Sequence, residues 1–285
     1  MNLKNVATDF VVDELPRQCP MDTPVRSSDD VFVSWSGGKD SAYSCYLAMK
    51  SGLNVRYLAS MMTSNNGRLF PHYLTPEIIQ AQANALDIPL IQQWVRVPDK
   101  VTREKIKVNE YDDSFIDMLQ RLKSQGISKG VFGVVSAGNR FAAAHRAWVE
   151  SVCGTAGIEP CLPLWGFDRE TIIQNIVEDN FKPIIVVADN HRLGPDYLGR
   201  VVDKELLAEL KARFEASPDG KVGLYHTFMI DGPIFQKRLE IDKAEKIMVE
   251  GIWYLDIQRF HLTSKPCSNP FSTAICDYGH ALAGV

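Results

Sequence analysis

Val31-Phe32-Val33-Ser34-Trp35 runs without interruption into Ser36-Gly37-Gly38-Lys39-Asp40-Ser41, and the chain continues as Ala42-Tyr43-Ser44-Cys45-Tyr46-Leu47-Ala48-Met49-Lys50. An apolar run, two glycines and a helix-forming run in that order predict a strand, a tight turn and a helix. This is the layout of a phosphate site. Gly37 and Gly38 can adopt positive φ and aim backbone N–H groups at an anion, and the helix N-terminus adds its partial positive charge. Lys39 supplies a point charge, and the hydroxyls of Ser36 and Ser41 can donate to phosphate oxygens. Asp40 alone would repel phosphate, so its presence points to a bridging Mg²⁺. The loop is not a Walker A motif, because the G-x-x-x-x-G-K-[ST] spacing is absent. A solvated serine and glycine turn is the plainer alternative, and the position directly after the first strand argues against it.

Outward from the loop, residues 55–62 and 90–97 read as apolar strands, and 42–50 and 76–86 as helices. That alternation predicts a parallel sheet covered by helices, an α/β fold. Thr75-Pro76-Glu77 combines an N-cap, a proline at the first helical position and an acid in the first turn, so the second helix has a defined start. Its end is expected near Leu86, ahead of Ile88-Pro89. Residues 113–125 place Phe115, Ile116, Leu119 and Leu122 on one face and stop at Gly126. Residues 130–135 read as a fourth strand, 141–152 as a helix, and 159–165, with two prolines, as an edge strand or its extended equivalent.

The first domain should end near Gly166. Beyond it come an amphipathic stretch at 169–179, a buried strand at 183–188, a helix at 204–214 and a mostly β region at 225–230, 235–239 and 252–260. The expected division is an N-terminal extension at 1–28, domains at 29–166 and 167–262, and a C-terminal tail at 263–285.

The 285 residues are 45% hydrophobic and 23% charged, enough for one large core or two smaller ones. A formal charge of −4 offers no basic excess, so nucleic acid is a poor default partner. No apolar stretch approaches the roughly 18–20 residues that cross a bilayer, and the first residues are too acidic for a signal peptide. The expectation is a cytoplasmic protein without a membrane partner. Six cysteines without a C-x-x-C pair fit reduced thiols, and His and Cys nowhere approach a zinc-ligand spacing.

Ser36-Gly37-Gly38-Lys39-Asp40-Ser41 resembles the signature of the PP-loop, or N-type, ATP pyrophosphatases, within the adenine nucleotide α-hydrolase-like group. The resemblance implies ATP cleavage between the α and β phosphates, with pyrophosphate held by the loop. AMP is left on a substrate oxygen until a nucleophile such as ammonia displaces it. Further stretches narrow the family: His72 with Gln80 and Gln82, Phe132-Gly133, His145-Arg146-Ala147-Trp148-Val149-Glu150, and Glu159-Pro160-Cys161-Leu162-Pro163-Leu164-Trp165-Gly166. With Leu198-Gly199-Arg200, Asp203, Tyr225-His226-Thr227-Phe228 and Asp231-Gly232-Pro233-Ile234-Phe235, they are similar to the diphthine–ammonia ligase family over residues 31–235.

That resemblance implies a five-stranded, mainly parallel α/β ATP-binding domain followed by a smaller α+β domain that shapes the substrate pocket. It implies an ATP-dependent amidoligase using ATP, Mg²⁺ and ammonia or another amine donor on a carboxyl-bearing acceptor. The named activity of the family is amidation of diphthine on elongation factor 2, and a bacterial-type branch, to which His226-Thr227 is closer, looks linked to small-molecule amidation. The nucleotide would lie against Ser36, Gly37, Gly38, Lys39, Asp40, Ser41, His72 and Gly133, with Asp40 on the metal. His145, Arg146 and His226 would stand near the acceptor. A packed histidine is as good a reading of His145, a satisfied partner of a buried hydroxyl is the plainer one for His226, and Trp165 closes an inter-domain seam more readily than it stacks on adenine. His191, His261 and His280 have no matching neighbours, and the oligomeric state, including a homodimer, is open.

Three carboxylates of the family pattern are missing. Gly133-Val134 replaces a Gly-Asp pair, and Gly220-Lys221-Val222-Gly223-Leu224 replaces a Gly-Glu-x-Gly-Glu run. These departures predict weak amidation of diphthine and a shifted acceptor, with Glu159 as a candidate replacement for the lost acidity. They also sustain two alternatives, a PP-loop enzyme acting on a small molecule or tRNA base, and a nucleotide-binding sensor without turnover. The acidic charge and the lack of a C-x-x-C count against tRNA.

Overall fold

In the computed structural model, the structure describes residues 30–63, 67–69, 71–95, 108–136, 140–215 and 225–265. Five strands form a parallel sheet: β1 (Asp30–Ser34), β2 (Asn54–Thr63), β3 (Leu90–Val95), β4 (Lys129–Val131) and β5 (Glu159–Cys161), in the spatial order β3-β2-β1-β4-β5. Helices α1 (Lys39–Lys50), α2 (Pro76–Leu86), α3 (Val108–Ser124) and α4 (Arg140–Ala156) follow β1 to β4 in turn, the crossovers that parallel pairing requires. The strand period of two sorts β1 between two cores: Val31 and Val33 face the cluster containing α1 and α2, and Phe32 faces the one containing α3 and α4. Both faces are covered, which is why β1 reads as an unbroken apolar run.

The predicted start of α2 is present: Thr75 Oγ1 accepts from the Ile78 N–H at 3.4 Å, with Pro76 at the first position. Asp87 closes the helix in the left-handed region, at φ 58°. β5 is an edge strand, which accommodates Pro160 opposite Gly130. β4 is shorter than expected, because the chain leaves the sheet at Phe132 and Gly133 to pass over the start of α1.

After α5 (Arg169–Glu178) comes a second, antiparallel sheet of β6 (Lys182–Asp189), β7 (Tyr225–Asp231), β8 (Lys237–Val249) and β9 (Ile252–Ser264), in the order β7-β6-β9-β8, with α6 (Lys204–Glu215) between β6 and β7. β8 and β9 are a 13-residue hairpin each way, joined by Glu250-Gly251 with φ of 50° and 78°. Positive φ at both central residues is the turn whose twist matches paired strands. The sequence reading stopped the first of these strands at 239, because residues 240–249 are rich in Lys and Glu, which strands disfavour unless a partner strand is present. Here β9 supplies the partner throughout.

Helices α1 and α2 touch both sheets. The fully buried Phe181, just before β6, lies edge-on to Tyr46 and Tyr43 of α1, with ring centroids 5.3 and 5.8 Å away. Both tyrosine hydroxyls donate to Asp179, at 2.8 and 3.4 Å. This seam fixes the second sheet on the first. Cys45 and Cys153 are free and buried, and burial pushes both thiols up to about 12. Cys161 is disulfide-bonded, which corrects the expectation of reduced thiols throughout. Among the described residues no helix is long and apolar enough to cross a membrane.

The seam gives a first test. Phe181→Ala should cost about 3–5 kcal/mol of unfolding free energy, the range for emptying a buried aromatic site. Urea denaturation should show a lower midpoint with little change of slope.

Candidate functional site

The order β3-β2-β1-β4-β5 reverses direction between β1 and β4. In open parallel sheets the loops at such a reversal diverge and leave a crevice at the carboxyl ends of the strands. The loop from Ser36 to Ser41 leaves β1 at that point, and Gly133 leaves β4 beside it. A β-carbon on Gly133 would lie 2.8 Å from the Asp40 carbonyl carbon and 2.9 Å from the Ser41 nitrogen. Glycine there lets the two strand ends close up.

The loop is held from three sides. Gly37 sits at φ 76°, and a β-carbon would meet Ile79 Cδ1 at 2.8 Å and Gln82 Oε1 at 2.9 Å. Its carbonyl accepts from Gln82 Nε2 at 3.0 Å and from the Met229 N–H at 2.8 Å, while Gln82 Oε1 accepts from Trp35 Nε1 at 2.8 Å. Gln82 is fully buried, and its Nε2 also donates to the Met229 carbonyl at 2.6 Å, so the amide is satisfied by the loop and β7 together. Gly38 faces His72 Cε1 at 2.6 Å and the Thr227 carbonyl at 3.0 Å from where its β-carbon would stand. The Lys39 N–H donates to Thr227 Oγ1 at 3.1 Å.

Gly38 brings no capping side chain of its own to α1, whose Lys39 N–H is taken by Thr227 and whose Gly38 N–H donates to Ser36 Oγ at 3.3 Å. Ser36 Oγ and Ser41 Oγ are 3.2 Å apart, and Ser41 Oγ donates to the Gly38 carbonyl at 3.0 Å. Lys39 Nζ pairs with both Asp40 oxygens, at 2.8 and 2.7 Å. The pair is partly exposed and therefore weak, so it can be exchanged for phosphate and metal.

The loop opens into a cleft of about 1020 Å³, floored by His72 and by Tyr225, His226 and Thr227 of β7, and walled by α5 and α6. The rings of His72 and His226 are 5.0 Å apart. Burial pushes the His72 pKa down to about 4, against a pull upward from its bond to the Thr227 carbonyl and with a smaller push downward from Lys39. Its ordinary value is 6.5, so the ring is neutral at neutral pH.

The predicted residues thus divide. Ser36, Gly38, Lys39, Asp40, His72 and His226 line one cleft, with Gly37, Ser41 and Gly133 shaping it from behind. His145 and Arg146 do not line it. His145 lies on α4 with its ring 6.1 Å from Trp148, and partial burial lowers its pKa although the residue is exposed. Arg146 bonds Glu150 at 2.6 Å and covers the Trp165 ring at 4.9 Å. Glu159 opens β5, where Lys129 opens β4 and pairs with it at 3.9 Å. That is the far end of the sheet from the loop, so Glu159 does not replace acidity at the site. Val134 is buried among Phe32, Phe115 and Val149 and lines no part of the cleft. Lys221 and Leu224 lie outside the described residues.

Thr227, Gln82, Arg169 and Lys204 were not singled out as site residues. Gln82 has a signal in the sequence: it occupies the apolar face of α2, four positions after Ile78 and three after Ile79, where only a bonded amide belongs. Arg169 and Lys204 head α5 and α6 and line the cleft, with no ion pair among the described residues. They join the site only because the second domain folds over the loop.

Residues 30–160 match the diphthamide synthase N-terminal domain, and residues 168–263 the diphthamide synthase C-terminal domain. The Mus musculus protein named diphthine–ammonia ligase is 28% identical over 250 residues, covering 82% of this chain and 93% of its own. Its Homo sapiens counterpart is 26% identical over 261 residues, with 85% and 96% covered. Among solved structures, one described as a predicted subunit of tRNA methyltransferase from Methanocaldococcus jannaschii aligns at TM-score 0.41 and 17% identity, over 71% of this chain and 97% of that one.

Two outcomes test this geometry. Gly38→Ala should leave the circular dichroism spectrum unchanged and weaken Mg·ATP binding by calorimetry at least roughly tenfold, the equivalent of about 1.4 kcal/mol, because His72 and the Thr227 backbone cannot both retreat. For His72, the unfolded chain binds a proton at higher pH than the folded one. Its contribution is therefore complete above pH 6.5 and is lost as pH falls toward 4, a difference of about 3 kcal/mol. The stability advantage of wild type over His72→Gln should shrink as pH falls through that window and stay level above it.

Proposed function

This chain belongs to the diphthamide synthase family, and on that premise we propose that it is an ATP-dependent amidoligase, adenylating a carboxyl group with release of pyrophosphate and passing the acyl group to ammonia. The observation that carries the reading is the glycine turn at the start of α1, packed so closely that a β-carbon on Gly38 would meet His72 Cε1 at 2.6 Å and the Thr227 carbonyl at 3.0 Å. Lys39, Ser36 and Ser41 converge there and can donate to phosphate oxygens.

The cradle fits a nucleotide triphosphate with its metal. Among the described residues no group of three or more His, Cys, Asp or Glu is placed to hold a metal ion. Asp40 is a single carboxylate beside the cradle, which is what Mg²⁺ uses when phosphate oxygens and water complete its shell. When bound, Mg²⁺ would neutralise charge on the departing pyrophosphate. Lys39 would turn from Asp40 to the phosphates, freeing Asp40 for the metal. Gly37 and Gly133 would fix the backbone positions, and His72 and His226 would stand over the reacting end. His145 and Arg146, engaged with Trp148, Glu150 and Trp165, have no part in this reading.

The acceptor would lie along α5 and α6. Ile172, Ile173, Val177 and Leu207 give this part of the cleft an apolar wall, and Arg169 and Lys204, two cations without an ion pair among the described residues, would meet a carboxylate there. Diphthine, named in the relatives, is the acceptor to test first. Of the three departures that argued against it, Val134 lies in the core and changes no charge in the cleft.

Purified protein incubated with ATP, Mg²⁺, ammonium and diphthine-bearing elongation factor 2 should yield the amide, with AMP and pyrophosphate released in step. Lys39→Ala should lower ATP affinity or turnover roughly tenfold to a hundredfold, the effect of a lost charged hydrogen bond of about 1.5–3 kcal/mol. Bound but unconsumed ATP with every carboxyl acceptor tried would overturn the reading.

A further inference from the structure

His72 is 9% exposed and reaches the cleft beside the phosphate loop. Its Nδ1 lies 2.9 Å from the Thr227 carbonyl oxygen. A carbonyl oxygen has no proton to give, so Nδ1 must carry the hydrogen, and in a neutral ring Nε2 is then the bare nitrogen. Nε2 has no hydrogen-bond partner among the described residues, and it is not one of their sealed, unsatisfied atoms. Its lone pair therefore opens into the cleft.

That lone pair selects what can sit there. Phosphate and carboxylate oxygens are acceptors themselves, and Mg²⁺ prefers oxygen ligands, so none of them matches a bare imidazole nitrogen. The match is a group with a hydrogen to donate. A cation meets a second barrier, since the charge on Lys39 already acts against positive charge on this ring. Depth decides the rest. The ring edge packs on Gly38, so Nε2, the next atom round from Cε1, is level with the phosphate loop rather than a nucleoside's length away.

On the amidoligase reading, we propose that Nε2 of His72 is the subsite for the nitrogen donor. One N–H of neutral ammonia, or of a small primary amine, donates to Nε2, leaving the nitrogen lone pair to face the activated carboxyl. The ring is held for this task from behind. Tyr73, the next residue, is at φ 61°, a conformation that a non-glycine residue keeps only under constraint. Arg68 supplies it, covering the Tyr73 ring at 4.3 Å, bonding the Tyr73 carbonyl at 3.0 Å and reaching Asp256 of β9 at 2.6 Å. Tyr73 itself lies against Tyr254, the rings tilted by 34° with centroids 4.5 Å apart.

The test is nitrogen NMR on the full chain labelled with ¹⁵N-histidine. Near neutral pH the signal lost in His72→Gln should show a protonated Nδ1 and a bare Nε2. With Mg·ATP bound, ammonium chloride at mildly alkaline pH should move Nε2 toward the protonated range, whereas Mg·ATP alone or an equal concentration of sodium chloride should not. If His72→Gln does not fold, removing the other histidines one at a time assigns the signal by elimination. A protonated Nε2 in the free protein overturns the proposal. So does a shift on Mg·ATP alone, which would give the atom to a ribose hydroxyl, and so does no response to ammonium. Should Mg·ATP fail to bind by calorimetry, the amidoligase reading falls, and the ammonium titration of the free protein still decides whether Nε2 takes the donor.

Discussion

The site depends on a close approach between two pieces of backbone far apart in sequence. The loop after β1 and strand β7 meet at Gly37, Gly38 and Lys39 on one side and Thr227 and Met229 on the other. Gly37 must send its carbonyl toward β7, and a loop left alone in water has no reason to hold that arrangement. Met229 and Gln82 bind the Gly37 carbonyl, and Thr227 binds the first N–H of α1. Glycine at position 38 is what allows the contact, since any side chain would displace His72 or the β7 backbone. The phosphate cradle is thus built by both sheets, although its signature lies wholly in the first.

The same contact governs the electrostatics. Bringing β7 against the loop buries His72 between Gly38 and Thr227, and desolvation keeps its ring uncharged beside Lys39. A second cation at the floor of the cleft would carry a desolvation cost and would forfeit the neutral acceptor nitrogen of His72. The other charges of the cleft are placed where they stay solvated: Lys39 and Asp40 paired at the lip, and Arg169, Lys204, Glu178 and the Lys211–Glu170 pair along the far wall. Exposed groups of this kind reorganise cheaply when a ligand arrives.

Placement also separates residues that a motif treats alike. His145 and His226 both fall in family-like stretches, but α4 carries its histidine against Trp148, whereas β7 carries His226 into the cleft. Glu159 and Val134 show the same limit. A residue's chemistry says what it can do, and only its end of the strand and its face of the sheet say to what. Glu159 opens a parallel strand and so stands at the end opposite the loop, and Val134 points into the core.

The sequence by itself determined the elements whose causes are local. An apolar run ending in two glycines sets a strand and a phosphate turn, Thr75-Pro76 starts a helix, Pro160 limits its strand to an edge, and the alternation of strands and helices makes the sheet parallel. The glycine turn at the head of α1 was legible for the same reason, since its spacing after an apolar run is a local signal. Tertiary structure alone decided the rest. The charged strand β8 exists because β9 satisfies its backbone, and Arg169 and Lys204 line the cleft because α5 and α6 wall it. His72 became a neutral acceptor because burial keeps its ring uncharged and the Thr227 carbonyl, 155 residues away, accepts a hydrogen bond from its other nitrogen. Burial and partner identity are properties of the assembled chain, and no local pattern of residues contains them.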